Sequence, residues 1–399
     1  ECAYGCYDDE RERLRTSLDY VDYLYECKGC LCCVQSCTKG LLSWQVNPVF
    51  QEMGDEIWTA DIIASTWFQA ETGRIPVSGA GYPGPFRGTG FNGIITDMSE
   101  IVRPTRDGIH GREYISTSVD IGRKPLSLQF GEDGSLASEC PPLVEVPVPI
   151  VFNTMPWHSP NDLVLRSILD AAGELETFAI TDKASMIDHP AALPHVGDSE
   201  VSGATHRMIE WSDGPDVLEK IRKARKANPE LLAIVGVQLG PDAAARTVEL
   251  AGEKIDAIHL RADWRGLVRY GEEIKHITDC VREVHLALIA RGIRDETTLI
   301  ASGGISLAEH VVKTVICGAD LVAIDVPLMI ALECRVCMNC QEGLKCSLDW
   351  DKVDRDYAVN RITNLMCAWH SQMLEMMGAM GIREARRLRG EVGRAMWFD

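Results

Sequence analysis

The sequence predicts an α/β protein built around a (β/α)8 TIM barrel, with a small cysteine-rich domain before it and a helical segment after it. Three observations lead there. From about residue 144, short apolar runs alternate with amphipathic stretches. Gly-containing turns flank two of the late runs. The cysteines fall into tight groups at both ends of the barrel region.

With 399 residues, the chain has room for one large domain and a smaller one. Hydrophobic residues make up 46%, so a sizeable core can form. The formal net charge is −19, which disfavours nucleic acid because phosphate neutralisation needs clustered Lys and Arg. It disfavours anionic membranes for the same reason. No apolar run reaches the roughly 18 residues that span a bilayer, and the first residues carry no signal-peptide pattern.

Residues 1–46 are cysteine-rich and read as a small ferredoxin-like domain. Residues 47–143 are rich in Gly, Pro and turns and read as a connecting region packed on the barrel. Within 144–333, apolar runs at 148–152, 177–180, 232–237, 257–260, 298–301 and 321–324 read as strands. Segments 216–228, 243–251 and 270–291 between them read as helices. Strands alternating with helices make βαβ units and a parallel sheet. Six strands are visible and irregular pieces remain for others, which suits a barrel. An open doubly wound sheet stays as the alternative. Residues 334–399 hold a further cysteine group and then helices.

The chain has fifteen cysteines. Cys27, Cys30, Cys33 and Cys37 have the spacing C-x2-C-x2-C-x3-C, which wraps thiolates around a cubane 4Fe-4S cluster. Thr38 stands where such motifs usually carry Pro. Cys32 is the odd thiol of the run and is not expected to ligate. Cys2 and Cys6 form C-x3-C, the back half of the same motif. In two-cluster ferredoxins the fourth cysteine of each motif ligates the other cluster. Cys6 is therefore expected to complete the cluster of Cys27, Cys30 and Cys33. Cys37 is expected to join Cys2 and two cysteines upstream of Glu1. Cys334, Cys337, Cys340 and Cys346 follow C-x2-C-x2-C-x5-C, a set suited to a cubane or a zinc ion. Tight spacing of this kind points to metal ligation in a reducing compartment such as the cytoplasm, rather than to disulfides.

The strand at 298–301 runs into Ser302-Gly303-Gly304, and Gly318-Ala319-Asp320 opens the next one. In many barrels the loops after strands seven and eight bind a phosphate through backbone N–H groups. These turns are expected to do the same, with two ordinary turns as the alternative.

Several segments together resemble the FMN-binding domain of the glutamate synthase family, in its archaeal-type form. They are Gln-Ala-Glu-Thr-Gly-Arg-Ile-Pro-Val-Ser-Gly at 69–79, residues 114–125, the 302–304 and 318–320 pair, the cysteines of 334–346, and 381–390. The resemblance runs in order over nearly the whole chain. It implies FMN at the C-terminal face of the barrel, with Gly303, Gly304, Gly318 and Ala319 around its phosphate beside Ser302. It also implies an iron–sulfur cluster next to the flavin, so two or three clusters in all.

The chain departs from the family at three places. Members with synthase activity carry Gly-Glu-Gly-Gly after the second strand, a Lys in the strand near 234–239, and a Gly-Gly-Thr-Gly-Ala turn. Here the corresponding residues are 182–188 with 196–203, Gln238, and His-Leu-Arg-Ala-Asp-Trp-Arg-Gly at 259–266. Those family elements shape the flavin face and hold 2-oxoglutarate. Arg261, Asp263, Trp264 and Arg265 read either as a site for a different anion or as a solvated loop with one packed Trp. No catalytic residue is singled out. The expected activity is an iron–sulfur flavoprotein oxidoreductase passing electrons between 4Fe-4S clusters and FMN. Its expected partners are ferredoxin-like or flavin-containing subunits of a larger oligomeric complex. The alternatives are a glutamate synthase making glutamate from 2-oxoglutarate and ammonia or glutamine, and a structural iron–sulfur subunit with an empty barrel.

Overall fold

The structure, a computed structural model, describes residues 30–46, 48–75, 88–98, 114–138, 140–157, 161–197, 206–346 and 348–397. Before the barrel come α1 (Cys32–Gln35), α2 (Pro48–Gln51), α3 (Ala60–Thr72), β1 (Ile94–Thr96), β2 (Val119–Ile121) and β3 (Val144–Val146). The barrel region then runs β4 (Ile150–Phe152), α4 (Asp162–Glu174), β5 (Ala179–Thr181), β6 (Ala192–Val196), β7 (Met208–Ser212), α5 (Val217–Ala227), β8 (Leu232–Gln238), α6 (Ala243–Gly252) and β9 (Ala257–Arg261). A hairpin of β10 (Leu267–Tyr270) and β11 (Glu273–His276) leads into α7 (Ile277–Ala290). It is followed by β12 (Thr298–Ser302), α8 (Ala308–Ile316), β13 (Leu321–Ile324) and α9 (Val326–Ala331). The chain finishes with α10 (Arg355–Ala379) and β14 (Ala395–Trp397).

Strands β4, β5, β6, β7, β8, β9, β12 and β13 pair in that order, and β13 closes back onto β4. Every pairing is parallel. The sheet is therefore a closed barrel with no open edge, and the doubly wound alternative falls. The apolar runs form strands because both of their faces are buried. Residues 232–237 and the whole of β12 and β13 are enclosed, as expected of parallel strands covered by helices.

Sequence reading missed β6 and β7. Pro194 interrupts the first, and His195 and Glu210 break the apolar pattern of both. Residues 270–276 were expected to start a helix. They form instead the end of a hairpin whose partners are Leu267 with His276 and Tyr270 with Glu273. Gly271 sits there at φ 68, a left-handed position that suits a tight turn. The helix begins only at Ile277, where the His276 ring accepts the Thr278 N–H as cap.

Around the barrel, α10 packs against α3, α4 and α8. Asp354 caps its start by accepting the N–H groups of Asp356 and Tyr357. A second core of Met53, Trp58, Ile63, Trp67, Trp157, Val326, Ile330 and Val336 joins α3 and α9 to the loop after β4. It sits at the C-terminal end of the strands, where barrel enzymes place their sites. Among the described residues, no helix is long and apolar enough to cross a membrane.

Candidate active site at the barrel mouth

Inside the barrel, near its C-terminal end, lies a polar layer. Glu210 on β7 is fully enclosed. Its Oε1 accepts from His259 Nδ1 at 2.8 Å and from Arg261 Nη2 at 2.6 Å, both on β9. These strands are not neighbours, because β8 lies between them. The side chains meet across Gly236 of β8. A Cβ there would stand 2.8 Å from Glu210 Oε1 and 3.1 Å from Arg261 Nε. Glycine is thus the residue that lets the two charges approach.

His259 Nε2 is 2.8 Å from Ser302 Oγ on β12. On the other side, His195 of β6 pairs in register with Glu210. Its Nδ1 lies 3.3 Å from Arg261 Nη2, and its Nε2 lies 3.1 Å from the exposed Ser212 Oγ. Burial alone would raise the Glu210 carboxyl. His259 and Arg261 overcome this and hold it well below the usual carboxylate range. Burial lowers His259, offset only in part by Glu210, so its ring is neutral. An ionised carboxylate at Oε1 requires a proton on Nδ1, which leaves Nε2 to accept the Ser302 hydroxyl.

The loop after β9 runs on directly from this layer. Asp263 Oδ1 accepts the N–H groups of Arg265 and Leu267 and so forms a turn. Arg265 pairs with Asp55 at 2.8 Å. The Trp264 ring meets Trp157 edge-on at 4.6 Å, and its carbonyl accepts from Trp58 Nε1. Both cations of the 261–265 segment therefore face carboxylates of the chain itself, and Trp264 is packed. Arg261 also supplies a cation beside Glu210 in a chain that carries Gln238 on the neighbouring strand. His195 and Glu210 escaped the sequence reading. A histidine and a carboxylate inside otherwise apolar strand segments were the signal that could have found them.

The expected phosphate residues divide between the two ends of the barrel. Ser302, Gly303 and Gly304 lie at the mouth. Gly303 and Gly304 have φ of 118 and 67, which only glycine adopts with ease. On their Cβ side stand the carbonyl oxygens of Asp263 and Arg265, at 2.4 and 2.5 Å from the position a Cβ would take. Their amide edge is what the turn can offer a phosphate, and Ser302 Oγ is turned inward to His259. Gly318 and Ala319 precede β13 and so lie at the opposite, N-terminal end. The expectation that they join Gly303 and Gly304 is corrected, because the strand carries the chain away from them. Gly318 serves packing instead, since a Cβ there would stand 2.3 Å from the His285 ring. At the mouth, β13 gives way to Asp325.

Cys334, Cys337, Cys340 and Cys346 follow α9 and are all half-buried. Burial pushes the Cys334 thiol up to about 12, and its three companions push the same way. The backbone between them takes left-handed turns at Val336 and Met338, φ 52 and 59, without glycine. Val336 N–H points at Cys334 Sγ at 3.5 Å. The loop is tied to the mouth, with Cys340 and Met338 packed against the second core. Gly54 N–H also donates to Arg335 O. Among the described residues, no three His, Cys, Asp or Glu side chains stand close enough to hold one ion. Four thiols at this spacing are donors that a 4Fe-4S cluster or a zinc ion can take.

At the other cysteine group, Cys2, Cys6 and Cys27 lie outside the described residues. Cys30, Cys32 and Cys33 interact, and a hydrogen bond donated by Cys32 to Cys30 raises the Cys32 thiol. Cys37 turns into its own nest of amides. Leu42 and Leu41 N–H groups, then Lys39 and Gly40, lower it, and Leu41 N is 3.2 Å from Sγ.

Residues 193–383 match the family model described as the conserved region in glutamate synthase. An archaeal-type glutamate synthase (NADPH) of Dehalococcoides mccartyi is 25% identical, over 98% of this chain and 90% of that one. An archaeal glutamate synthase (NADPH) of Archaeoglobus fulgidus is 26% identical, over 98% and 89%. Among solved structures, a mandelate oxidase variant with a monooxide FMN adduct matches with a TM-score of 0.43 and 14% identity. That match covers 71% of this chain and 90% of that one. The chain thus carries, over 193–383, a region like the conserved region in glutamate synthase, and it is similar to archaeal-type glutamate synthases over nearly its whole length.

Proposed function

We propose that the chain is an iron–sulfur flavoprotein oxidoreductase that passes electrons between 4Fe-4S clusters and FMN as a subunit of a larger redox complex. One observation carries the reading: the loop that bears Cys334, Cys337, Cys340 and Cys346 packs beside the barrel mouth, with Cys340 and Met338 against the core of Trp58, Trp67 and Trp157. Bound there, a cluster would supply single electrons and FMN would exchange them for pairs. Gly303 and Gly304 would meet the flavin phosphate through their amides. The loop after β9, with Trp58, Trp157 and Trp264, lines the mouth, while Glu210 and Arg261 fix a charge pair beside it. Cys30, Cys33 and Cys37 would extend the wiring with Cys2, Cys6 and Cys27. Partners of this reading are ferredoxin-like or flavin-containing proteins, in the cytoplasm, where thiolates stay reduced.

The test is direct. The purified chain should contain iron and acid-labile sulfide and release flavin on denaturation, and a colourless protein with neither would refute the proposal. A second reading, glutamate formation, is favoured by the similarity to the two archaeal-type glutamate synthases and by the Arg261 cation at the mouth. Adding 2-oxoglutarate and ammonia to the reduced protein decides between them. Flavin reoxidation with glutamate formed would replace electron carriage by synthesis.

A further inference from the structure

We propose that Ser302, His259, Glu210, His195 and Ser212 form a proton path from the interior of the barrel mouth to solvent. Register places the links. His195 pairs with Glu210, Gly236 pairs with His259, and Ser212 pairs with Gly236. His259 lies two residues along β9 from Ala257, the register level of Glu210, and two before Arg261, the level of Ser302, and the tilt of the strands brings the three side chains together. The contacts are Ser302 Oγ to His259 Nε2 at 2.8 Å, His259 Nδ1 to Glu210 Oε1 at 2.8 Å, Glu210 Oε2 to His195 Nδ1 at 3.7 Å, and His195 Nε2 to Ser212 Oγ at 3.1 Å.

Two features separate this row from an ordinary buried ion pair. Glu210 Oε2 is enclosed and has no hydrogen-bond partner among the described residues, an expensive state for a carboxylate oxygen. It faces the one ring that reaches an exposed hydroxyl. The donors also all point the same way. Ser302 donates to neutral His259, and His259 donates to Glu210. Arg261 donates to His195 Nδ1, which leaves the Nε2 proton to point at Ser212.

The step moves one proton and no electrons. A proton reaches Ser302 Oγ from an O–H or N–H group at the mouth, and the hydroxyl proton of Ser302 passes to His259 Nε2. His259 releases its Nδ1 proton to Glu210 Oε1, the carboxyl turns about its Cγ–Cδ bond to carry that proton to the His195 side, and it passes the proton to His195 Nδ1. His195 gives its Nε2 proton to Ser212, which releases one to water. The Oε2 to Nδ1 gap must shorten for this to occur. Arg261 acts as a positioning residue, holding Glu210 ionised between transfers. Such a route suits a site lined by the loop after β9, where electron transfer has to be matched by protons.

The test needs neither cofactor nor turnover. The full chain is labelled with 15N-histidine, and the ring N–H of His259 is followed by NMR. The proton should sit on Nδ1 and exchange with water at least tenfold faster than the Leu260 amide of the same strand. His195→Phe removes the transferring ring and should slow that exchange at least tenfold with the tautomer unchanged. Should His195→Phe fail to fold, His195→Asn provides the same reading, and Ser212→Ala should slow exchange about threefold. A proton on Nε2 would overturn the proposal. So would exchange at the Leu260 rate, which marks strand opening, or exchange unaltered by the folded variants.

Discussion

Each end of the barrel buries a network of charges, and the two are built differently. At the N-terminal end, Arg294 is 4% exposed and donates to four acceptors, namely His285 Nδ1, Thr297 O, Gly318 O and Asp320 Oδ2. Asp320 accepts further from Leu299 N and Arg389. A cavity of about 260 Å3 there is lined by Asp120, Lys124, Asp295, Asp320, Arg386 and Arg389, and each of these charges has an ion partner. At the mouth, Glu210 keeps one oxygen and Arg261 keeps Nε without partners among the described residues. A closed network holds a fold together, whereas one with open valences is available for chemistry. The base is therefore read as scaffold and the mouth as site, in line with how barrel enzymes divide their two faces.

Breaking the base should cost the most. Arg294→Met takes from Asp320 one of its two arginine partners and leaves four acceptors short. The expected loss is about 3–5 kcal/mol, seen as a lower denaturant midpoint. At the mouth, Glu210→Gln keeps the shape and frees Arg261, which retains some access to water. About 1–3 kcal/mol is expected. The double variant Glu210→Gln with Arg261→Gln should lose less than the sum of the two single losses. If Glu210→Gln proves as damaging as Arg294→Met, the distinction between the two ends collapses.

Acid should probe both ends at once. Burial, with Arg294 and Arg389, pushes His285 down to about 4 at the base. Burial alone takes His276 to about 4, and His259 at the mouth is lowered as well. A histidine with a lowered folded pKa binds its proton more readily when unfolded. Stability should therefore fall as pH drops from about 6.5 towards 4, by about 1.4 kcal/mol per pH unit for each such ring. His285→Gln should flatten that slope by about one proton in urea titrations at stepped pH. A slope unchanged in the variant would mean that His285 already carries its proton in the fold.

What could be read from the residues follows the same division. Strands β8, β12 and β13 were legible because two buried faces make a continuous apolar run. Strands β6 and β7 were not, because they carry inward-facing polar side chains that only the closed barrel explains. Ser302, Gly303 and Gly304 do lie at the end of an apolar strand, as their sequence suggests. Gly318 and Ala319 were assigned to the same site although they precede their strand, which puts them a full strand length away. Thiol spacing marked the cysteine groups, since ligand geometry is set over a few residues. No spacing rule could show that His259, Glu210 and Ser302 meet, because they lie on three strands joined only by closure and by the absence of a side chain at Gly236.

The smallest expected effect concerns Asp325. Ser302 pairs with Ala323, so Gly304 and Asp325 each lie two residues further along adjacent strands. The flavin phosphate proposed for the Gly303–Gly304 amides would therefore approach a carboxyl. Asp325 is 6% exposed, and its contacts are Val326 N–H and a long one to Asn153. Burial raises it to about 6. Above that pH it is ionised and repels a phosphate, and below it the carboxyl is neutral. FMN affinity of the native chain should thus rise as pH falls through 6. Asp325→Asn should bind FMN about tenfold more tightly at pH 8, equivalent to about 1.4 kcal/mol, and little differently at pH 5. Riboflavin, which lacks the phosphate, should not distinguish the two proteins at either pH. Quenching of flavin fluorescence on titration measures all of these affinities. Equal FMN affinity for both proteins at pH 8 would place the phosphate away from the end of β13, while a riboflavin response matching that of FMN would trace the effect to the ring system instead.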